Sequence, residues 1–424
     1  MLLRGTPLLL VLTTLIMGLP LGVLAEPSGS LTLAKAAQRA IAANPRLAAA
    51  DTQVGIASGK RVQAAAIPNP ELSIELDNAL GSGAYQGLNS AETTLELSQL
   101  FEFRGKRAAR VAAGSAEVEN ASWELDALRL EVLSETATAF FTVLAAQRRL
   151  QIFDAQIASL SRLAPLLQQR VDAGASSPGE VARAHVANDL VRADRERAKT
   201  ALAVARRELA ALMGASTPDF LRAVGDLTRV GRPPAFATVL RTVDSLPQLV
   251  RWTAVRAQRD AELVLARLKP YPDVKASVAW RHFNETSDDA VRLGLSLPLP
   301  VFDRNIGGIA EAQASLAKVD ADRATAKAAL VLTLGRAYET LVGAEREIDI
   351  LRTAAIPNAR KATEAIESGY SQGRFTLLEL LDIQNTSTQA ALRELEALTN
   401  FHTSVATIEG LTGAHLGLKR ERSR

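Results

Sequence analysis

The sequence predicts a mainly α-helical chain with a small β part and an internal duplication. Three observations predict it. Aromatic residues make up only 4% of 424 residues and Gly and Pro are not enriched, which favours helices over a sandwich or propeller. Four short runs alternate between apolar and polar residues, as strands do, amid long Ala-rich stretches. Landmarks also recur in one order at nearly one offset. Gly174 and Gly373 lie 199 residues apart, as do Gly214 and Gly413, while Pro68 and Pro270 lie 202 apart and Leu95 and Leu293 198 apart.

Residues 1–25 read as a secretory signal peptide: Arg4 precedes an apolar stretch broken by Pro20, and small residues precede Glu26. The first repeat then covers 26–214. A helix is expected from Leu31 to Ala66, where Pro68 and Pro70 stop it, because Pro lacks a donor and disfavours helix before it. A β-hairpin follows at 70–100, its strands separated by the polar stretch NALGSGAYQGLNS. A helix from Lys106 to Asp172 comes next, roughly 100 Å long at about 1.5 Å per residue. A tight turn and a returning helix at 177–213 close the unit. Residues 215–236 form a linker. The second repeat, 237–413, is expected to hold a helix at 237–268, a hairpin at 272–299, a long helix from Asn305 to Tyr370 and a returning helix at 376–410, with 414–424 as a tail. Pro165 and Pro357 are expected to kink the long helices.

Both turns after the long helices can be read physically. Gly174 and Gly373 suit a left-handed position just past a helix end. Ser177-x-x-Glu180 and Thr376-x-x-Glu379 both fit a capping box, and Pro178 sits at a favoured first helical position.

The strands place Glu71, Glu75 and Asp77, then Glu92 and Glu96, then Asp273, Lys275 and Arg281, and finally Arg292 on one side. Leu72, Ile74, Leu76, Leu95, Leu97, Val274, Val278, Trp280, Val291, Leu293, Leu295 and Leu297 lie on the other. Each run is about nine residues, the length of a tilted membrane-spanning strand. A half-buried sheet packed on helices would also alternate. An apolar face in lipid requires that no strand edge stay unpaired, so the sheet must close. Four strands cannot close a barrel, which implies a barrel shared between copies. The nine charged positions named above would then line a water-filled lumen, acidic overall and favourable to cations.

Several function classes are excluded or unsupported. The chain has no Cys, so disulfides, thiolate metal sites and acylation at a mature N-terminal Cys have no acceptor. His185, His282, His402 and His415 lie far apart without ligand-like spacing, so no dedicated metal site and no cofactor are expected. No phosphate-cradling loop or nucleophile elbow is visible, and no enzymatic activity is expected. With 49 basic and 46 acidic residues, nothing favours nucleic acid.

GYSQGRFTLLELLDIQ (369–384) and QRVDAGASSPGEVARA (169–184) are similar to the two tips of the TolC-type outer-membrane efflux proteins. PLPVFDRNIGGIAEAQA (298–314) and LFEFRGKRAARVAAGSAE (100–117) look like the strand-to-helix junctions of that family's heavy-metal branch, the cobalt–zinc–cadmium and copper efflux components. The resemblance covers essentially the whole mature chain. It implies a homotrimer in the outer membrane of a Gram-negative bacterium. A twelve-stranded β-barrel would stand in lipid and a trimeric α-barrel tunnel would reach into the periplasm. The partners would be a periplasmic adaptor and an inner-membrane pump of the resistance–nodulation–division class, with the channel a passive duct. By the same resemblance Tyr370, Glu379, Asp382 and Glu180 fall at a periplasmic gate. Arg170, Gly174, Ser177, Gly373 and Thr376 fall on tips that dock the adaptor. Phe375, next to Arg374, stands where TolC carries a gate arginine, a departure from the pattern. Glu180 and Glu379 as plain capping residues, and Asp382 as a solvated helix residue, remain alternatives. So do a duct for organic compounds or secreted protein, and a soluble periplasmic coiled-coil scaffold.

Overall fold

The structure is a computed structural model that describes residues 28–174, 176–413 and 419–420. The signal peptide expected at 1–25 and most of the tail 414–424 lie outside the described residues.

The first described element is a short strand, β1 (Ser28–Leu31). The helix expected over 31–66 is two helices, α1 (Leu33–Ala43) and α2 (Pro45–Ala65). Asn44 separates them: its extended backbone ends α1, its side chain accepts from the Arg46 N–H at 2.9 Å, and Pro45 starts α2 without needing a donor. Two strands follow, β2 (Glu71–Asp77) and β3 (Glu92–Phe101). The long helix α3 (Lys106–Asp172) has 67 residues and continues through Pro165 as one element. The helix α4 (Pro178–Leu212) returns along it.

The connecting segment is more than a linker. It carries β4 (Phe220–Ala223), parallel to β1, and β5 (Gly231–Arg232). The same order of elements then recurs. The helix expected over 237–268 is again divided, into α5 (Phe236–Leu240) and α6 (Pro247–Leu268), with Pro247 at the start as Pro45 is in α2. Strands β6 (Val274–Phe283) and β7 (Asp288–Ser296) precede α7 (Ile306–Ile350). Pro357 does not sit in one continuous helix. A π turn at Leu351–Ala355 precedes α8 (Ile356–Ser371), a local widening that lets the chain pass a residue lacking an N–H. The helix α9 (Leu377–Thr412) returns, and β8 (Lys419–Arg420) pairs antiparallel with β5.

Among the described residues the helices bury four separate apolar seams, one of them joining α1, α2 and α3 through Ala40, Leu47, Leu125 and Val132. A second joins α3, α4 and the connecting segment through Phe140, Val143, Leu209 and Phe220. A third joins α6, α7 and α9 through Leu249, Leu334, Leu341 and Phe401. The fourth, small, sits at the far end of both helical hairpins. Among the described residues no helix is long and apolar enough to cross a membrane.

Candidate functional site

The four longer strands form one antiparallel sheet in the order β2-β3-β6-β7. Its register stacks Leu72, Leu97, Val278 and Leu293 in one row and Ile74, Leu95, Trp280 and Val291 in the next, so a single face is apolar. That face is open: Ile74 is 72% exposed, Leu293 80% and Leu295 77%. The outer edges of β2 and β7 carry no strand partner among the described residues. The apolar face of the sheet is not half-buried beneath helices, since its side chains stand clear of the protein. An open apolar face with two unpaired edges is unstable in water and matches a barrel stave completed by other chains.

The opposite face carries the charges. Glu71 pairs with Lys275 at 2.6 Å, Glu96 with Arg292 at 2.5 Å, and Glu92 with Arg281 at 2.8 Å, while Asp77 lies 3.8 Å from Arg281. Arg281 also donates to Thr94 Oγ1 at 2.9 Å. Glu75 shares this face without an ion pair to any described residue. Asp273 is a correction: it precedes β6 and lies off the sheet, with the half-buried Asp273 carboxylate held by Lys106 Nζ at 2.9 Å. Lys106 also donates to the Tyr271 carbonyl at 2.7 Å, and the Arg104 guanidinium lies 4.0 Å from the Tyr271 ring centre. Asp273 therefore ties the start of α3 to the start of β6, where sheet meets helices.

Sequence reasoning missed Asp288. The strand β7 begins there, before Val291, the first of its residues read as alternating, and its register with Phe283 puts Asp288 on the charged face. Asp289 hid the start by breaking the alternation on the apolar face. His282 breaks it at the paired position, and the two offenders bond each other at 2.9 Å.

The far end gathers the remaining candidates. Gly373 and Gly174 both have positive φ, +74° and +70°, and end their helices as the turn requires. The capping box at Thr376 is complete: Glu379 N–H donates to Thr376 Oγ1, and Glu379 Oε2 accepts from the Thr376 N–H at 2.7 Å and from its hydroxyl at 2.8 Å. These bonds hold the Glu379 carboxyl below its ordinary pKa. The box expected at Ser177 does not form. The Ser177 hydroxyl accepts from the Gly179 N–H at 3.2 Å, one residue too early, and half-buried Glu180 is left without the reciprocal bond. Asp382 is exposed on α9, and so is Glu379.

Tyr370 is the hub of this end. It is 6% exposed and packs with Leu167 of α3, Ala184 of α4 and Leu377 and Leu380 of α9. Arg170 crosses from the first hairpin, donating to the Tyr370 carbonyl at 3.2 Å with its guanidinium 5.1 Å from the ring centre. The Tyr370 hydroxyl is buried without a partner among the described residues, and burial pushes its pKa up. Arg170 is therefore a bridge within one chain as well as a tip residue. A second bridge was not foreseen: Gln384 Nε2 donates to Ser159 Oγ at 3.1 Å and to Glu367 at 3.2 Å, linking α9 to α3 and α8. Arg374 and Phe375 take another course. The Phe375 ring lies against Gly369, where an added Cβ would come within 2.4 Å of it.

The profile described as "Outer membrane efflux protein" matches residues 36–215 and 243–414. The chain belongs to that family. Among curated relatives, this efflux protein is 29% identical over 388 residues to the cobalt-zinc-cadmium resistance protein CzcC of Cupriavidus metallidurans, covering 92% of this chain and 91% of the relative. It is 27% identical over 296 residues to the nickel-cobalt-cadmium resistance protein NccC of Alcaligenes xylosoxydans xylosoxydans, covering 69% and 67%. Its structure superposes on that of CusC, whose crystal structures concern transmembrane channel formation, with a TM-score of 0.78 at 16% identity over 90% of this chain and 92% of that one. The helical-tunnel fold of outer-membrane channels is thus the fold of this efflux protein.

Proposed function

We propose that this efflux protein is the passive outer-membrane exit duct of a tripartite system whose cargo is divalent heavy-metal cations. The open apolar face between two unpaired sheet edges carries the duct reading. Three copies would close twelve strands, and the long helices would continue the barrel as a tunnel on the periplasmic side. The cargo reading rests on the names of CzcC and NccC. A periplasmic adaptor would dock on the tips around Arg170, Gly174, Ser177, Gly373 and Thr376. A proton-driven resistance–nodulation–division pump would supply the energy. Tyr370, Glu379, Asp382 and Glu180 would border the constriction at the tip, with the Arg170 bridge helping to keep it closed.

The test is cellular accumulation of zinc, cadmium, cobalt, nickel and copper in a deletion strain, with and without the gene restored. Build-up of one or more metals, reversed by complementation, is the expected result. Unchanged metals with increased retention of organic dyes would shift the cargo to organic compounds and leave the duct in place. A chain extracted by salt alone, running as a monomer, would overturn the duct itself.

A further inference from the structure

An open cleft of about 740 Å³ lies at mid-height on the helical body, where residues 220–228 cross α3, α4 and α9. Its volume falls within the usual range for small-molecule sites. The crossing segment is clamped in place. Gln147 Nε2 donates to the Ala223 carbonyl and Gln147 Oε1 accepts the Ala223 N–H, both at 2.9 Å. Gly225 permits the close approach, since a Cβ there would come within 2.8 Å of Leu144. The floor is apolar, formed by Leu144, Leu202, Leu227 and Leu395.

The charges around that floor do not balance. Each carboxylate lining the cleft is held by a cation from outside its wall: Asp154 by Arg195 at 2.6 Å, Asp226 by Arg229 at 3.2 Å, and Glu394 by Arg352 at 2.7 Å. The three guanidiniums that line it, on Arg148, Arg206 and Arg222, make no ion pair with any described residue. Arg148 donates to the Gln151 amide at 3.1 Å, and Arg206 donates to the Leu221 carbonyl. The Arg206 Nε is buried without a partner among the described residues, a donor that favours an incoming acceptor. Guanidiniums match carboxylate and phosphate oxygens in geometry and charge.

We infer that this cleft binds an organic anion with an apolar chain, its carboxylate or phosphate head on Arg148, Arg206 and Arg222 and its chain on the leucine floor. The assignment does not depend on the cargo. The test uses the full chain in phosphatidylcholine nanodiscs, with empty nanodiscs as background, and equilibrium dialysis of radiolabelled laurate, dodecyl phosphate, dodecanol and acetate. Laurate or dodecyl phosphate should bind at one site per chain, at least about tenfold tighter than dodecanol or acetate. The ratio of laurate to dodecyl phosphate tells a carboxylate ligand from a phosphate one. Replacing all three arginines by Gln should weaken binding by about tenfold or more, and replacing exposed Arg222 alone, which leaves the helical core untouched, by severalfold. Dodecanol binding as tightly as laurate, or laurate binding equally to wild type and the Arg222→Gln protein, overturns the assignment.

Discussion

Tyr370 shows how one residue can join two hairpins through its backbone and ring while its hydroxyl does nothing for the fold. The hydroxyl is buried and unpaired among the described residues, whereas Arg170 grips the carbonyl and the ring. Removing an unsatisfied buried polar group is neutral or favourable, so Tyr370→Phe should leave thermal stability unchanged or raise it by up to about 1 kcal/mol. Arg170→Ala should lower it, by about 1–2 kcal/mol, since both the hydrogen bond and the ring contact go. Thermal melts of the two purified variants check the pair, and a large loss in Tyr370→Phe would show that the hydroxyl has a partner. His402 supplies a pH-dependent case. It is stacked on Phe141 with ring centres 4.6 Å apart, and its Nε2 lies 2.9 Å from the Leu227 carbonyl. Burial pulls its pKa below the ordinary 6.5, outweighing the opposing effect of the Leu227 bond. A histidine kept neutral in the fold stabilises above its unfolded pKa, and that contribution is lost as pH falls through the lower folded value. The melting temperature should therefore decline as pH drops below about 6.5, and the decline should be shallower in His402→Gln. Equal slopes in both proteins would assign the acid sensitivity elsewhere.

The elements differ in how much of them was legible in the sequence. The turn into α9 was legible because its parts are adjacent: Gly373 for the left-handed backbone, then Thr376 and Glu379 for the cap. The strands were legible from alternation alone, and the start of β7 at Asp288 was missed because His282 and Asp289 break the pattern together. The divisions before Pro45 and Pro247 went unread because apolar spacing continues across both, so periodicity outvoted the proline. The bridge from Arg170 to Tyr370 spans 200 residues, and no local pattern reports such a contact. Gly214 joins two elements where only a glycine fits. Its φ is +74°, and an added Cβ would sit 2.2 Å from the Ala43 carbonyl oxygen at the end of α1. That neighbour is backbone and cannot rotate away. Gly214→Ala should cost more than the ordinary strain of a left-handed alanine, about 2 kcal/mol or more, read as a lower denaturation midpoint. Gly373→Ala meets nothing within 4 Å and should cost only about 1 kcal/mol of backbone strain. The difference between the two variants separates contact from conformation.

At the scale of the whole molecule, the charged face of the sheet would become the inner wall of the proposed barrel, and its pairing decides which charges a passing ion meets. Six carboxylates, Glu71, Glu75, Asp77, Glu92, Glu96 and Asp288, share that face with Lys275, Arg281 and Arg292. Three of the acids sit in close ion pairs, and Asp77 shares Arg281 with Glu92. The excess of −3 per chain thus falls largely on Glu75 and Asp288, which have no ion pair among the described residues. A paired charge presents a dipole whose field fades quickly, whereas an unpaired one in a narrow lumen bounded by low-dielectric walls acts at long range. Glu75→Gln with Asp288→Asn should therefore reduce the cation preference of the open channel, shifting the reversal potential in a salt gradient toward zero. Glu71→Gln with Lys275→Gln also removes two charged groups, one of each sign, and should leave that potential nearly unchanged. Planar-bilayer recordings at about 0.1 M salt, where the screening length is about 10 Å, are the sensitive measurement. Raising salt to about 1 M should shrink the difference between the variants, because the screening length falls to about 3 Å. If the two double variants shift the potential equally, the lumen responds to local wettability rather than to its net charge. The acidic excess would then have no part in selecting cations.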